Sequence, residues 1–333
     1  METWDPHSTR QRSGPGERGA FFRENADFTR KMINGRRVLV TGAGGSIGSE
    51  ICRAAAALNP QSLMALDRDD SRLHEVITEI SRTAGSRALD LRSCIADICD
   101  VDNLRKQISS YAPDILIHAA ALKQVPILEE HPDEAFRVNV TGTGNLLGIC
   151  AAETVETFIN ISTDKAANPV TVLGKTKRLA ERMTAHYGRS LNTRYLNIRF
   201  GNVMWSRASV LHTFADQIAD GGPVTVTHPE VTRYLMTIGE AVDLALYAAA
   251  QGRSGETLVL NMGEPVKIDD LARRMIKESG KEIPITYIGL RAGDKLHEEL
   301  WGEGDTILGR IEADIIRVGV DPISTEEANR ETL

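Results

Sequence analysis

The chain has 333 residues, 41% of them apolar and 26% charged, with a formal net charge of −7. This suits one large domain or a domain with a smaller lobe, and it argues against nucleic acid as the main partner. No apolar run approaches the roughly 18–20 residues that cross a bilayer. The polar start (Met1-Glu-Thr-Trp-Asp-Pro-His7) is no signal peptide. Cys52, Cys94, Cys99 and Cys150 lack CxxC or Cys/His spacing, so free thiols in a cytoplasmic setting and no metal site are expected.

Residues 1–34 are polar and rich in Arg, Gly and Ser, which predicts a flexible arm that Phe21-Phe22 could anchor. Order is expected from Arg37-Val-Leu-Val-Thr41, a short apolar strand. A helix follows, with Ile47, Ile51, Ala54, Ala55 and Leu58 on one face, and Asn59-Pro60 stops it. Further strands are predicted at 62–67, 92–97, 114–118, 157–162 and 193–200. Helices are predicted between them near 72–84, 102–110, 133–152 and 175–187. Continuous apolar strands alternating with helices indicate an α/β fold, a Rossmann-type doubly wound parallel sheet. Beyond Gly201 the segments shorten. Helices at 209–219, 238–251 and 268–279 and a strand at 256–261 suggest a smaller C-terminal α/β lobe. The expected division is a nucleotide-binding domain over 35–201, a substrate lobe over 202–315 interleaved with the sheet, and a polar tail over 316–333.

Gly42, Gly45 and Gly48 have Gly-x-x-Gly-x-x-Gly spacing between the first strand and the first helix. Glycines there let the backbone approach a pyrophosphate at the positive end of the helix, near Ser46 and Ile47. Asp67 ends the second strand about twenty residues on, where a carboxylate accepts the hydroxyls of an unphosphorylated ribose. NAD is therefore the expected cofactor. Arg68 follows at once and could pair with a 2′-phosphate, which leaves NADP open. Asp97-Ile98 is placed for an adenine contact, and Ala119-Ala-Ala121 offers small side chains where a cofactor passes. Asp164 and Lys165 sit at the carboxyl end of a parallel strand, where ligands bind in such sheets.

With these residues placed, the chain resembles the extended short-chain dehydrogenase/reductases. Within them it is similar to the nucleotide-sugar 4,6-dehydratases of capsule and surface-polysaccharide biosynthesis. The resemblance rests on Thr41–Glu50, His118–Lys123, Ser162–Pro169, Thr176–Glu181, Arg199–Val203, Val226–Thr237 and Met262–Val266, and runs from about 36 to 302. Many relatives carry an N-terminal membrane region, and this chain resembles the short soluble form.

The resemblance implies an enzyme acting on a UDP-sugar, UDP-N-acetylglucosamine in particular. C4 is oxidised, water is eliminated across C5–C6 and hydride returns to C6, with C5 configuration retained. It gives Asp164 the role of acid at O6 and Lys165 that of base at C5, which asks for a raised Asp164 and a depressed Lys165 pKa. Thr163 meets the sugar near O4, and Ser162, Asn139 and Lys177 belong to the cofactor side. Lys177 fits the lysine of the superfamily's Tyr-x-x-x-Lys, but the tyrosine position is Leu173. Proton handling then shifts toward Asp164, Lys165 or water. By resemblance Lys123, Asn202, Arg207, Ser209, Val210, Val226, Arg233, Met236, Arg291 and Glu298 bind the nucleotide sugar. Gln124, Trp205 and Ala208 depart from the pattern, the last two standing where relatives have glycine. A homo-oligomer is expected on the same basis. The alternatives are a UDP-sugar 4-epimerase, a 5,6-dehydratase, or a catalytically silent NAD-binding regulator.

Overall fold

The computed structural model describes residues 27–84, 89–291, 293–312, 314–331 and 333. Its first half alternates strands and helices. After α1 (27–33) come β1 (Arg37–Thr41), α2 (Ser46–Ala57), β2 (Ser62–Asp67), α3 (Asp70–Ala84), β3 (Asp90–Ile95), α4 (Val101–Tyr111) and β4 (Ile115–His118). Then follow α5 (Val125–Glu130), α6 (Pro132–Phe136), a π-helical segment (Arg137–Gly142), α7 (Thr143–Ala152), β5 (Thr157–Thr163), α8 (Val172–Ser190) and β6 (Arg194–Phe200). Elements shorten after that: β7 (Asn202–Val203), α9 (Val210–Ala219), β8 (Val224–Val226), β9 (Thr232–Arg233), β10 (Leu235–Met236), α10 (Ile238–Gln251) and β11 (Glu256–Leu260). The chain closes with β12 (Val266–Lys267), α11 (Ile268–Ser279), β13 (Ile285–Tyr287), β14 (Asp305–Ile311), β15 (Ile315–Val320) and α12 (Thr325–Ala328).

The main sheet has the order β14-β15-β11-β6-β5-β4-β1-β2-β3. From β3 through to β11 all pairings are parallel, and β15 and β14 add an antiparallel edge. Parallel neighbours need crossovers, and the crossover helices cover both faces. In β1, Val38 and Val40 point into a core shared with α2 and α10, while Leu39 points into one shared with α4, α7 and α8. Chain direction across the sheet reverses between β1 and β4, so their carboxyl ends open a crevice for a ligand. A third core, with Leu211, Phe214, Ile218, Val224, Val226 and Met275, holds α9, α11 and β8 together as the smaller lobe.

Three expectations are corrected. The arm does not extend to residue 34: 27–33 form α1, with Met32 and Ile33 buried against the body. Residues 1–26, with Phe21-Phe22, lie outside the described residues. The segment read as a polar tail contains β15, whose Ile315, Ile316, Val318 and Val320 are buried, and Ile323 and Ala328 pack into the core under α8. The long helix expected over 133–152 is broken by the π-helical segment, a feature that often marks functional sites. Among the described residues no helix is long and apolar enough to cross a membrane.

Candidate active site

The connection from β1 to α2 is built to leave backbone bare. Gly42 has φ +69°, and a Cβ there would lie 2.5 Å from the Ala120 nitrogen. The glycine loop and the wall after β4 can therefore approach each other only without a side chain. Gly48 is buried on α2 against the same loop. At the end of β2, Asp67 accepts hydrogen bonds from the Gly44 amide at 2.8 Å and the Asp69 amide at 3.0 Å. Gly44 escaped the sequence reading. Its signal is the doubled glycine of Gly42-Ala-Gly-Gly45.

From this loop a cleft of about 140 Å³ runs along the carboxyl ends of the strands, lined by Gly42, Gly45, Asp67, Arg68, Asp97, Ile98 and Ala119–Ala121. A larger cavity, about 790 Å³, opens at the opposite ends of the strands beside α1 and holds none of these groups. The chemistry sides with the smaller cleft. Burial pushes the Asp97 carboxyl up, but the Cys99 amide and the Arg137 and Arg68 guanidinium groups outweigh it and hold the pKa below its ordinary value. Asn139 lies in the π-helical segment. Its side chain accepts from the Leu122 amide at 2.9 Å and donates to the Leu122 carbonyl at 3.0 Å and to Thr176 Oγ1 at 3.1 Å. Asn139 thus holds the cleft wall to α8.

The catalytic candidates gather at the end of β5. Asp164–Ala166 form one 3-10 turn. Thr163 Oγ1 donates to Asp164 Oδ1 at 2.9 Å, and Lys165 Nζ donates to the same oxygen at 3.1 Å and to Asn202 Oδ1 at 2.9 Å. Glu298 Oε1 lies 3.6 Å from Lys165 Nζ and 3.6 Å from Arg233 Nε. Asp164 is 0% exposed, and its Oδ2, like Ser162 Oγ, is buried without a hydrogen-bond partner. A Cβ at Gly201 would lie 2.7 Å from Asp164 Oδ2, so only glycine fits against that buried oxygen.

The expected depression of Lys165 is corrected. Burial alone lowers its pKa, but the Asp164 and Glu298 carboxylates outweigh burial and hold it above the ordinary value. Within this stretch it is Lys177 that is depressed, which burial brings to about 8 against the opposing pull of Glu181. Its Nζ donates to the Ile161 carbonyl at 2.7 Å. His118 lies close by, pushed down to about 3 by burial and then by Lys177, so it is a neutral bridge between Thr41 and Thr143. Leu173, one turn before Lys177, is buried with Leu128, Ala135 and Val172, and Leu122 and Val125 pack around them. An apolar side chain is what this place accommodates.

The lobe residues divide. Arg233 donates to the Thr232 carbonyl at 2.7 Å and the Lys295 carbonyl at 3.0 Å, and with Glu298 it lines a small cavity beside Lys165. Lys123 Nζ donates to the Arg207 carbonyl at 2.9 Å. Burial, then Arg207, lowers the Lys123 pKa. The Arg207 guanidinium donates to the Gly44 carbonyl, on the glycine loop between β1 and α2. Ser209 caps α9 with a buried, unpartnered Oγ, just before Val210. Arg291 is exposed at the rim. Val226 and Met236 are each 1% exposed and lie in hydrophobic cores. Their place there corrects the expectation that they face a ligand, because strand pairing turns both side chains inward. Trp205 and Ala208 adopt φ +57° and +53°, left-handed backbone that glycine takes without strain. The Trp205 ring packs edge-on against His212 at 5.3 Å, against the lobe core.

Comparison with known proteins agrees with this architecture. A family model described as polysaccharide biosynthesis protein matches residues 38–318. The chain is 44% identical over 302 residues to the capsular polysaccharide biosynthesis protein CapD of Staphylococcus aureus, covering 88% of this chain and 49% of that protein. It thus spans about half the length of that relative. It is 32% identical over 297 residues to UDP-glucose 4-epimerase of Rickettsia canadensis, covering 87% and 84%. The structure of Pen from Bacillus thuringiensis superposes with TM-score 0.78 at 29% identity, covering 89% of this chain and 97% of that one. DesIV, a dTDP-glucose 4,6-dehydratase from Streptomyces venezuelae solved with NAD and TYD, shares the fold at TM-score 0.69 and 20% identity, covering 79% and 87%. The matched residues span the glycine loop, the Asp164–Lys165 turn and the strands that carry them, so the chain belongs to the polysaccharide biosynthesis protein family and has the fold of nucleotide-sugar dehydratases and epimerases.

Proposed function

We propose that this chain is a nucleotide-sugar 4,6-dehydratase using NAD and acting on UDP-N-acetylglucosamine with C5 configuration retained. The observation that carries the reading is the Asp164–Lys165 ion pair, 3.1 Å between Lys165 Nζ and Asp164 Oδ1, beside a buried, unpartnered carboxylate oxygen. The bare glycine loop fits a pyrophosphate. Asp67 at the cleft edge fits a free ribose, with Arg68 beside it for the phosphorylated alternative. The chemistry that NAD would supply there is reversible hydride transfer, out of C4 of the hexose and back to C6.

The chain's own residues then supply proton chemistry. Lys165 rests as the ammonium, held so first by Asp164 and then by Glu298. Moving one proton from Lys165 Nζ to Asp164 gives an amine and a carboxylic acid with no change in net charge. That form is a base for C5–H and an acid for O6, the two groups that elimination requires. A sugar that excludes water from the turn favours it, because desolvation penalises the charged form. Thr163 holds Asp164 Oδ1 in place, and Lys177 supports the nicotinamide side. Arg233 and Asn202 serve the diphosphate, and Glu298 fixes Lys165 and Arg233 relative to each other.

A second reading, a 4-epimerase, is favoured by the 32% identity to UDP-glucose 4-epimerase. It needs no acid at O6, and apolar Leu173 leaves the tyrosine of Tyr-x-x-x-Lys absent. Incubation with UDP-N-acetylglucosamine and NMR of the product separates the two. A C6 methyl supports dehydration, and an intact C6 hydroxymethyl with inverted C4 refutes it. Turnover that Lys165→Ala abolishes also excludes a silent NAD-binding regulator. Assembly as a homo-oligomer is tested by light scattering, where a monomer mass contradicts it.

A further inference from the structure

The segment Met204–Ser209 belongs by sequence to the lobe, yet the polar contacts of its Arg207 lie on the loops that flank the nucleotide cleft. The Arg207 guanidinium donates to the Gly44 carbonyl of the glycine loop. The Arg207 amide donates to Ser46 Oγ, at the first residue of α2, at 3.1 Å. The Arg207 carbonyl accepts from Lys123 Nζ, on the segment after β4, at 2.9 Å. One residue thus ties the lobe to both loops that flank the pyrophosphate position.

The backbone on either side is set for this. Trp205 and Ala208 both take left-handed φ, at +57° and +53°, and Arg207 lies between them. Non-glycine residues hold that conformation only where surrounding contacts impose it. Here the imposing contacts are the Trp205–His212 packing on the α9 side and the three Arg207 bonds on the other.

We propose that Met204–Ser209 is a strap across the cofactor pyrophosphate and that Arg207 is its positioning residue, retaining the dinucleotide between turnovers. The inference rests on the reading that the cleft holds NAD. A reaction that returns its hydride each cycle has no use for cofactor exchange, and a strap drawn from the lobe couples retention to the presence of both lobes.

The test measures NAD dissociation from the whole chain, without sugar nucleotide, by stopped-flow displacement, for the parent, Arg207→Ala and Arg207→Lys, with the melting temperature of each. Arg207→Ala is expected to release NAD about ten-fold faster, the size of one charge-assisted hydrogen bond. Arg207→Lys, which keeps one cationic donor for the Gly44 carbonyl, is expected to recover part of the loss. Melting temperatures within about 2 °C of the parent would separate a local strap from general destabilisation. Release from Arg207→Ala at the parent's rate overturns the strap while leaving the cofactor reading intact. A parent that binds neither NAD nor NADP overturns both.

Discussion

Behind the site, four buried charges stand ready for a sharp perturbation. Arg199, 0% exposed, donates to both oxygens of Glu181 at 2.9 and 2.6 Å, to Asp305 Oδ2 at 2.6 Å and to the Leu300 carbonyl at 3.1 Å. Arg178 bridges to Asp305 and to the Gly304 carbonyl. The cluster is neutral as built, two guanidinium groups against two carboxylates. Glu181→Gln leaves one uncompensated positive charge with almost no water. Removing one partner of a buried pair costs roughly 3–5 kcal/mol. The new amide oxygen still accepts one Arg199 bond, so the lower end, about 3 kcal/mol, is expected. Against a total stability of about 5–15 kcal/mol this is a large fraction. Urea unfolding at pH 7, followed by circular dichroism, should show a lower midpoint with an unchanged slope. The double variant Arg199→Met, Glu181→Leu removes both charges, leaves Arg178 and Asp305 as a balanced pair, and should recover at least half the loss. A single-variant cost below about 1 kcal/mol, or a double variant no better than the single, would refute the reasoning. The same cluster sets an acid limit. Burial raises the Asp305 pKa, but Arg199 outweighs it and holds it below 3.8. Its contribution is therefore present above that value and is lost as pH falls through the lower folded one.

Other expectations follow from the site. Lys165→Ala should cut turnover by about 10²–10⁴-fold, the range of a general acid–base group, while calorimetric NAD binding stays unchanged; equal loss of binding would reassign Lys165 to the cofactor. Lys177 has a folded pKa near 8 against 10.5 when unperturbed. The unfolded chain therefore binds more protons between those values, and parent stability should rise across that interval. Lys177→Met should flatten that rise and raise stability at pH 7 by about 2–3 kcal/mol, while activity is lost; a destabilised variant would show that the Ile161 bond dominates. Gly42→Ala places a Cβ 2.5 Å from the Ala120 nitrogen at φ +69°, so NAD affinity should fall at least ten-fold in the same calorimetric assay, and near-parent affinity would contradict the close approach.

Sequence pattern reached furthest where a rule is local. The glycine loop, Asp67 and the Asp164–Lys165 turn are each set by one strand and the few residues after it, and the parallel sheet brings them to the carboxyl ends of its strands. What stayed hidden depends on distance along the chain. Arg207 reaches Gly44 across 163 residues, and Arg199 reaches Asp305 across 106, and neither spacing leaves a periodic trace. The charge state of Lys165 depends on how far its neighbour Asp164, and then Glu298, outweigh burial, and no local motif places Glu298 within 3.6 Å. β15 was missed for another reason. It is buried on both faces, without the alternation of a half-exposed strand, it returns to the main sheet only after a separate lobe, and the preceding β14 is an exposed edge.

The central claim is that Asp164 and Lys165 carry out an elimination across C5–C6. Its most direct test is the reaction of UDP-N-acetylglucosamine in deuterium oxide, followed by proton NMR. The account predicts a product with a C6 methyl, a 4-ketone and deuterium at C5, and no such product from Lys165→Ala. A product that keeps its C6 hydroxymethyl and an unexchanged C5 proton would contradict it.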